Sequence, residues 1–140
     1  MNGRPYSNVV KLMKDSGLRP TRQRLALARL LFESCENRHV TAEKLHQEAL
    51  DSDVPVSLAT VYNTLNQFMK SGLLREVVVE SGRCYYDTNT DPHHHFYYEE
   101  SGNLVDLERS KVKVEFLGQE PEDAAVESID VVIRVRSKSV

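Results

Sequence analysis

The sequence predicts an α+β chain, a winged helix-turn-helix followed by a small α/β module. Three observations carry this expectation. Residues 6–71 hold four stretches of helical period, separated by Gly and Pro. After Gly72 the pattern changes to β-branched and aromatic runs on either side of Ser81-Gly82. A turn-rich stretch, TNTDP at 88–92, then precedes a second set of strand-like segments.

Residues 6–16 form the expected first helix, which stops at Gly17. Pro20 and Thr21 reopen the chain. Thr21 is the N-cap of a second helix, RQRLALARLLF, with Leu25, Ala28, Leu31 and Phe32 at helical spacing. Thr41 caps a third helix, which has Glu43 and Lys44 in its first turn and carries Leu45, Ala49 and Leu50. Pro55 interrupts it. Ser57 caps a fourth helix, SLATVYNTLNQFMKSG, whose apolar stripe is Leu58, Val61, Leu65, Phe68 and Met69. Residues 73–80 and 83–87 make a hairpin, the wing. Beyond the boundary, HFYYEE and LVDLE flank Ser101-Gly102-Asn103 as a second hairpin, a short helix is expected at 121–128, and IDVVIRVR (129–136) alternates as a strand. The division expected is 1–87 for the winged helix, 88–92 for a hinge, and 93–140 for the second domain.

Charge is distributed unevenly. Residues 1–30 carry seven Lys/Arg against one acid, net +6, whereas residues 88–140 carry six basic and eleven acidic residues, net −5. A basic front end suits phosphates, and the helix order is that of a DNA-binding domain. The fourth helix is then the recognition helix. Its polar face shows Ser57, Thr60, Asn63, Thr64, Gln67 and Lys70, with Tyr62 near the N-terminal end. Asn and Gln can pair with adenine edges, Ser and Thr with phosphates or bases, and Tyr can meet a thymine methyl or a phosphate. One winged helix contacts few bases, so a homodimer on a two-fold operator of double-stranded DNA is expected, or a tetramer, with the second domain as the dimerisation unit and strand 129–136 pairing with its copy. No run approaches the roughly 18 apolar residues of a membrane span, and no apolar leader opens the sequence, so a cytoplasmic protein with no membrane partner is expected. Two cysteines, Cys35 and Cys84, read as reduced thiols and cannot form a four-cysteine zinc site within one chain.

His93-His94-His95 stands at the domain junction. On a strand His93 and His95 share one face and His94 takes the other. With Asp87 on the wing, Asp106 on the next strand, and His39 just before the third helix, the set becomes three His and two Asp, suited to Fe, Mn or Zn. Ligands drawn from both domains would lock the hinge. Haem is the other cofactor open here, since His93, His94 and His95 adjoin Phe96, Tyr97 and Tyr98. His46, inside a helix, reads as structural.

The sequence resembles the ferric uptake regulator superfamily over nearly its whole length. The segments that carry the likeness are GLRPTRQRLALARLL (17–31), HVTAEKLH (39–46), SLATVYNTLNQFMKSGLL (57–74) and HHHFYYEESGNLVDL (93–107). Asn63 in TVYNTLNQF and the HHHFYYE run make it most similar to the iron response regulator branch. The resemblance implies regulatory-metal positions at His39, Asp87, His93, His95 and Asp106, and His39 owes most to it. It also implies DNA contacts at Tyr62 and at Arg19, the latter in the minor groove. In the iron response branch it implies haem at the histidine run, with genes of haem synthesis and iron storage as targets. The usual pair of CxxC motifs is absent, Tyr98 and Ser101 standing at the first, which argues against a structural zinc. The family's long helix after the second hairpin is not evident in 108–120, and neither cysteine precedes a proline, so a Cys-Pro haem motif is missing too.

The leading expectation is a non-enzymatic, iron- or haem-responsive repressor of iron and haem metabolism genes. A peroxide-sensing, metal-dependent repressor of the same superfamily is the alternative, because the same His/Asp set serves that branch. A metallohydrolase is the outside reading, and it lacks a positioned general base, a Gly-rich phosphate loop and a nucleophile setting.

Overall fold

A computed structural model of the chain describes residues 5–34, 36–80 and 83–138, with side chains from residue 9 onward. Cys35 and Ser81-Gly82, expected as the tip of the wing, lie outside the described residues. The chain divides into two compact units, Met1–Thr90 and Asp91–Val140.

The first unit contains α1 (Pro5–Asp15), α2 (Arg22–Phe32), β1 (His39–Val40), α3 (Ala42–Asp51), α4 (Leu58–Lys70), β2 (Arg75–Glu80) and β3 (Arg83–Asp87). Three of its helices begin on the hydroxyl expected. Thr21 Oγ1 accepts from the Arg24 amide, Thr41 from Lys44 and Ser57 from Thr60, which satisfies an amide that has no partner within the helix. Helix α4 ends at Gly72, whose φ of +86° suits the left-handed region that glycine enters without strain. The Leu73 amide there returns to Phe68 O and the Gly72 amide to Met69 O, a pattern that caps the last carbonyls.

The apolar faces of α1–α4 close on one core. Met13, Leu27, Leu31, Leu45, Val61, Leu65 and Phe68 are fully buried, and Leu74 and Tyr86 of the wing join them. The stripe expected on α4 holds at Val61, Leu65 and Phe68, whereas Leu58 and Met69 are half-buried. Thr64, expected on the polar face, is buried, because it stands three residues after Val61 on the core side of the helix. On α2 Leu27 proves a core residue. The sheet of this unit is antiparallel in the order β1-β3-β2.

The second unit contains β4 (His94–Tyr98), β5 (Asn103–Leu107), a 3₁₀ turn at Arg109–Lys111, and β6 (Val132–Val135). Its sheet has the order β5-β4-β6, antiparallel on one side of β4 and parallel on the other. Two expectations change here. The helix at 121–128 does not form. Only a turn stands at 122–123, since a short segment with no surface to pack against cannot offset helix nucleation. Strand 129–136 is shorter than expected, Val132–Val135, and pairs in parallel with β4. No helix among the described residues is long and apolar enough to cross a membrane.

Candidate functional site

In the first unit the two-residue strand β1 places His39 opposite Asp87 of β3. His39 Nε2 lies 3.2 Å from Asp87 Oδ2. The other carboxylate oxygen accepts from the Asn89 amide at 2.9 Å. Arg38 fixes the start of the strand. Its amide donates to Thr88 Oγ1 at 2.8 Å, its carbonyl accepts from the Thr88 amide, and its guanidinium reaches Leu30 O and Glu48 Oε2. Asp87 is fully buried. A buried carboxylate needs a proton, a cation or several donors to offset lost hydration.

In the second unit the β4–β5 register sets His95 opposite Asp106. Asp106 Oδ1 lies 3.1 Å from His93 Nε2 and 3.4 Å from His95 Nε2. The two rings stand edge to face, with centroids 4.4 Å apart. His93 Nδ1 faces the Asp91 carbonyl within hydrogen-bonding distance. That oxygen can only accept, so Nδ1 donates there and Nε2 is the ring nitrogen that faces the Asp106 carboxylate at 3.1 Å. A carbonyl at the far nitrogen is the usual orienting partner of a metal-binding imidazole. The donors present, imidazole nitrogen and carboxylate oxygen, fit Fe(II), Mn(II) or Zn(II). His94 is turned elsewhere. Its Nδ1 accepts from the Val131 amide at 3.1 Å, which ties β4 to the residue before β6.

Among the expected DNA-contacting residues, Arg19, Ser57, Tyr62 and Asn63 are exposed and Thr60 is half-buried. Ser57 and Thr60 are engaged with one another, since Ser57 Oγ also donates to Thr60 Oγ1 at 2.9 Å. Arg24 ties the Arg19 loop to α4, donating from Nη1 to Arg19 O and from Nε to Gln67 Oε1, 2.9 and 3.0 Å respectively. Tyr62 Oη donates to Glu43 Oε2 of α3 at 2.7 Å, and this partner raises the Tyr62 pKa. Sequence reasoning placed Glu43 only in the first turn of α3 and missed it as a neighbour of Tyr62. No motif signals a contact 19 residues apart. His46 Nε2 meets Val56 O at 3.0 Å, a structural role.

Behind α4, Tyr86 Oη donates to Asn66 Oδ1 at 3.4 Å. Burial, with help from the Glu76 carboxylate, pushes the Cys84 thiol up to about 12. Burial pushes the Tyr86 phenol to about 12 as well, with Cys84 and Glu76 adding to it. Both groups are neutral at ordinary pH.

Residues 15–133 match the sequence profile of the ferric uptake regulator family. The peroxide-responsive repressor PerR of Staphylococcus aureus is 34% identical over 113 residues, spanning 79% of this chain and 74% of the relative. Among solved structures, the ferric uptake regulator of Pseudomonas aeruginosa with manganese superposes with a TM-score of 0.69 at 22% identity, covering 92% of this chain and 97% of that one. The peroxide stress regulator of Campylobacter jejuni gives 0.58 at 21% identity, with 98% of each chain covered. These two likenesses establish the fold, a winged helix-turn-helix followed by an α/β domain.

Proposed function

The chain belongs to the ferric uptake regulator family of metal-responsive transcription regulators, and from that premise we propose that it is a homodimeric repressor of operator DNA, switched by one divalent iron or manganese ion per chain. The single observation that supports this most is the split donor set. The winged-helix unit supplies His39 and Asp87, and the strand unit supplies His93, His95 and Asp106, each half already drawn together by its own sheet register. When bound, the ion supplies positive charge to two carboxylates and three imidazole lone pairs. Coordination by donors from both units restricts residues 88–92, which act as the hinge. A restricted hinge fixes the separation of the two α4 helices in a dimer, and DNA affinity rises by the difference in ion affinity between restricted and free forms.

Tyr62 and Asn63 read bases, and Arg19 neutralises backbone phosphate. Ser57 serves chiefly as the cap that starts the reading helix, with Thr60 as its partner. Haem fits less well than a metal ion, because His94 is held by the Val131 amide while His93 and His95 converge on Asp106. The narrower likeness to iron response regulators rests on TVYNTLNQF and HHHFYYE. Peroxide sensing is the second reading, and it is favoured by the 34% identity to peroxide-responsive repressors. In that case His39, His93 or His95 would hold Fe(II), and hydrogen peroxide would insert one oxygen into a ring C–H of such a histidine, leaving water, removing that ring as a donor and releasing DNA.

The test is a gel-shift titration of operator duplex with and without Mn(II), each after exhaustive chelation. The expected outcome is tight binding only with the ion. Equal binding after chelation contradicts the switch. Mass spectrometry after Fe(II) and peroxide separates the two readings. An added oxygen on a peptide bearing His39 or His93–His95 supports peroxide sensing, and its absence supports a plain metal sensor.

A further inference from the structure

We infer that Glu43 sets the base preference of Tyr62 by taking its only proton, so that Tyr62 recognises a base presenting an amino donor in the major groove, adenine or cytosine. The inference rests on the reading of α4 as the recognition helix. Its basis is the 2.7 Å hydrogen bond from Tyr62 Oη to Glu43 Oε2, formed by two side chains that both stand on the exposed surface.

An ionised carboxylate can only accept hydrogen bonds, whereas a phenol has one proton to give and lone pairs to receive with. The direction of this bond is therefore fixed. Glu43 lies in the first turn of α3, where the helix N-terminus favours a negative charge. What the Tyr62 oxygen has left for a partner is acceptor capacity, strengthened because a phenol that donates to an anion becomes a better acceptor. Phosphate oxygens, guanine O6 and N7, and thymine O4 are acceptors themselves and gain nothing from it. Adenine N6 and cytosine N4 present amino donors in the major groove. Glu43 thus closes the phosphate option for Tyr62 and turns a residue that could bond either way into one that reads amino donors. Glu43 is a positioning residue, because it acts through the tyrosine.

The carboxylate has a second, separable effect. Its charge repels all duplexes alike, so removing it raises affinity without regard to sequence. Only the proton effect changes the pattern of preference. The experiment therefore measures a ratio. Duplexes are selected from a random pool by the full-length, Mn(II)-loaded protein, and each base pair of the best half-site is replaced in turn. Binding is measured for the wild type, Glu43→Ala, Glu43→Met and Tyr62→Phe, with folding checked by thermal melting. Glu43→Met keeps the length of the side chain and serves where the alanine variant is poorly folded. In the wild type, one position is expected to show a preference for an amino-bearing base on the order of tenfold. That preference falls to within about twofold in both Glu43 variants and in Tyr62→Phe, while overall affinity of the Glu43 variants rises. A preference kept intact in the Glu43 variants overturns the inference, as does a wild type with no amino-selective position that depends on Tyr62. Failure of the wild type to bind any duplex removes the DNA-binding reading itself, a different and recognisable result.

Discussion

Tyr62 is 39% exposed on α4, so truncating it leaves the core closed while removing the base contact proposed for it. Tyr62→Ala is expected to weaken operator binding by about 1–3 kcal/mol, read by gel shift, with little change in melting temperature. Unchanged affinity would place the reading surface elsewhere. Cys84 and Tyr86 give a second prediction at this scale. Both pKa values are raised by folding, to about 12 from ordinary values of 9.0 and 10.0. The folded chain therefore holds their protons where the unfolded chain has lost them. Their contribution to stability is complete below pH 9 and is lost as pH climbs from there to about 12. Chemical denaturation across that range is expected to show falling stability, and Cys84→Ala to make the fall shallower. For the same reason Cys84 should react slowly with iodoacetamide at neutral pH in a Cys35→Ser background. At the scale of single residues the sequence was legible where period alone decides. His93 and His95 on one side and His94 on the other follow from strand alternation. The partner of Tyr62 was not legible, because helix packing rather than spacing brings Glu43 to it.

Elements were legible where the chain carries its own start and stop signals. Thr21, Thr41 and Ser57 each open a helix, and Gly72 closes one. Ser57→Ala removes the acceptor for the Thr60 amide and is expected to cost about 1 kcal/mol of stability by urea denaturation. Leu65→Ala, at the fully buried centre of the α4 stripe, is expected to cost about 2–5 kcal/mol in the same measurement. Strand β1 escaped notice because two residues carry no periodicity, yet it is the element that sets His39 against Asp87. The opposite error arose at 121–128, where a short helix was expected. Among the described residues that stretch is largely exposed and meets no apolar surface to order it. Local composition reports a tendency, and tertiary contact decides whether it is realised.

For the whole molecule, the asymmetry of charge and the turn-rich TNTDP stretch led to the expectation of two domains, and the chain divides into compact units after Thr90. The coupling proposed between the units would depend on an ion and on a second copy, neither of which one chain's sequence contains. The account requires a single ion to draw on both units. The most direct measurement is calorimetric titration of Mn(II) into the full chain and into two variants, His39→Ala/Asp87→Ala and His93→Ala/Asp106→Ala. One high-affinity ion per chain, lost in both variants, is the predicted result. Two ions per chain, with either one persisting when the other unit's donors are removed, would contradict it.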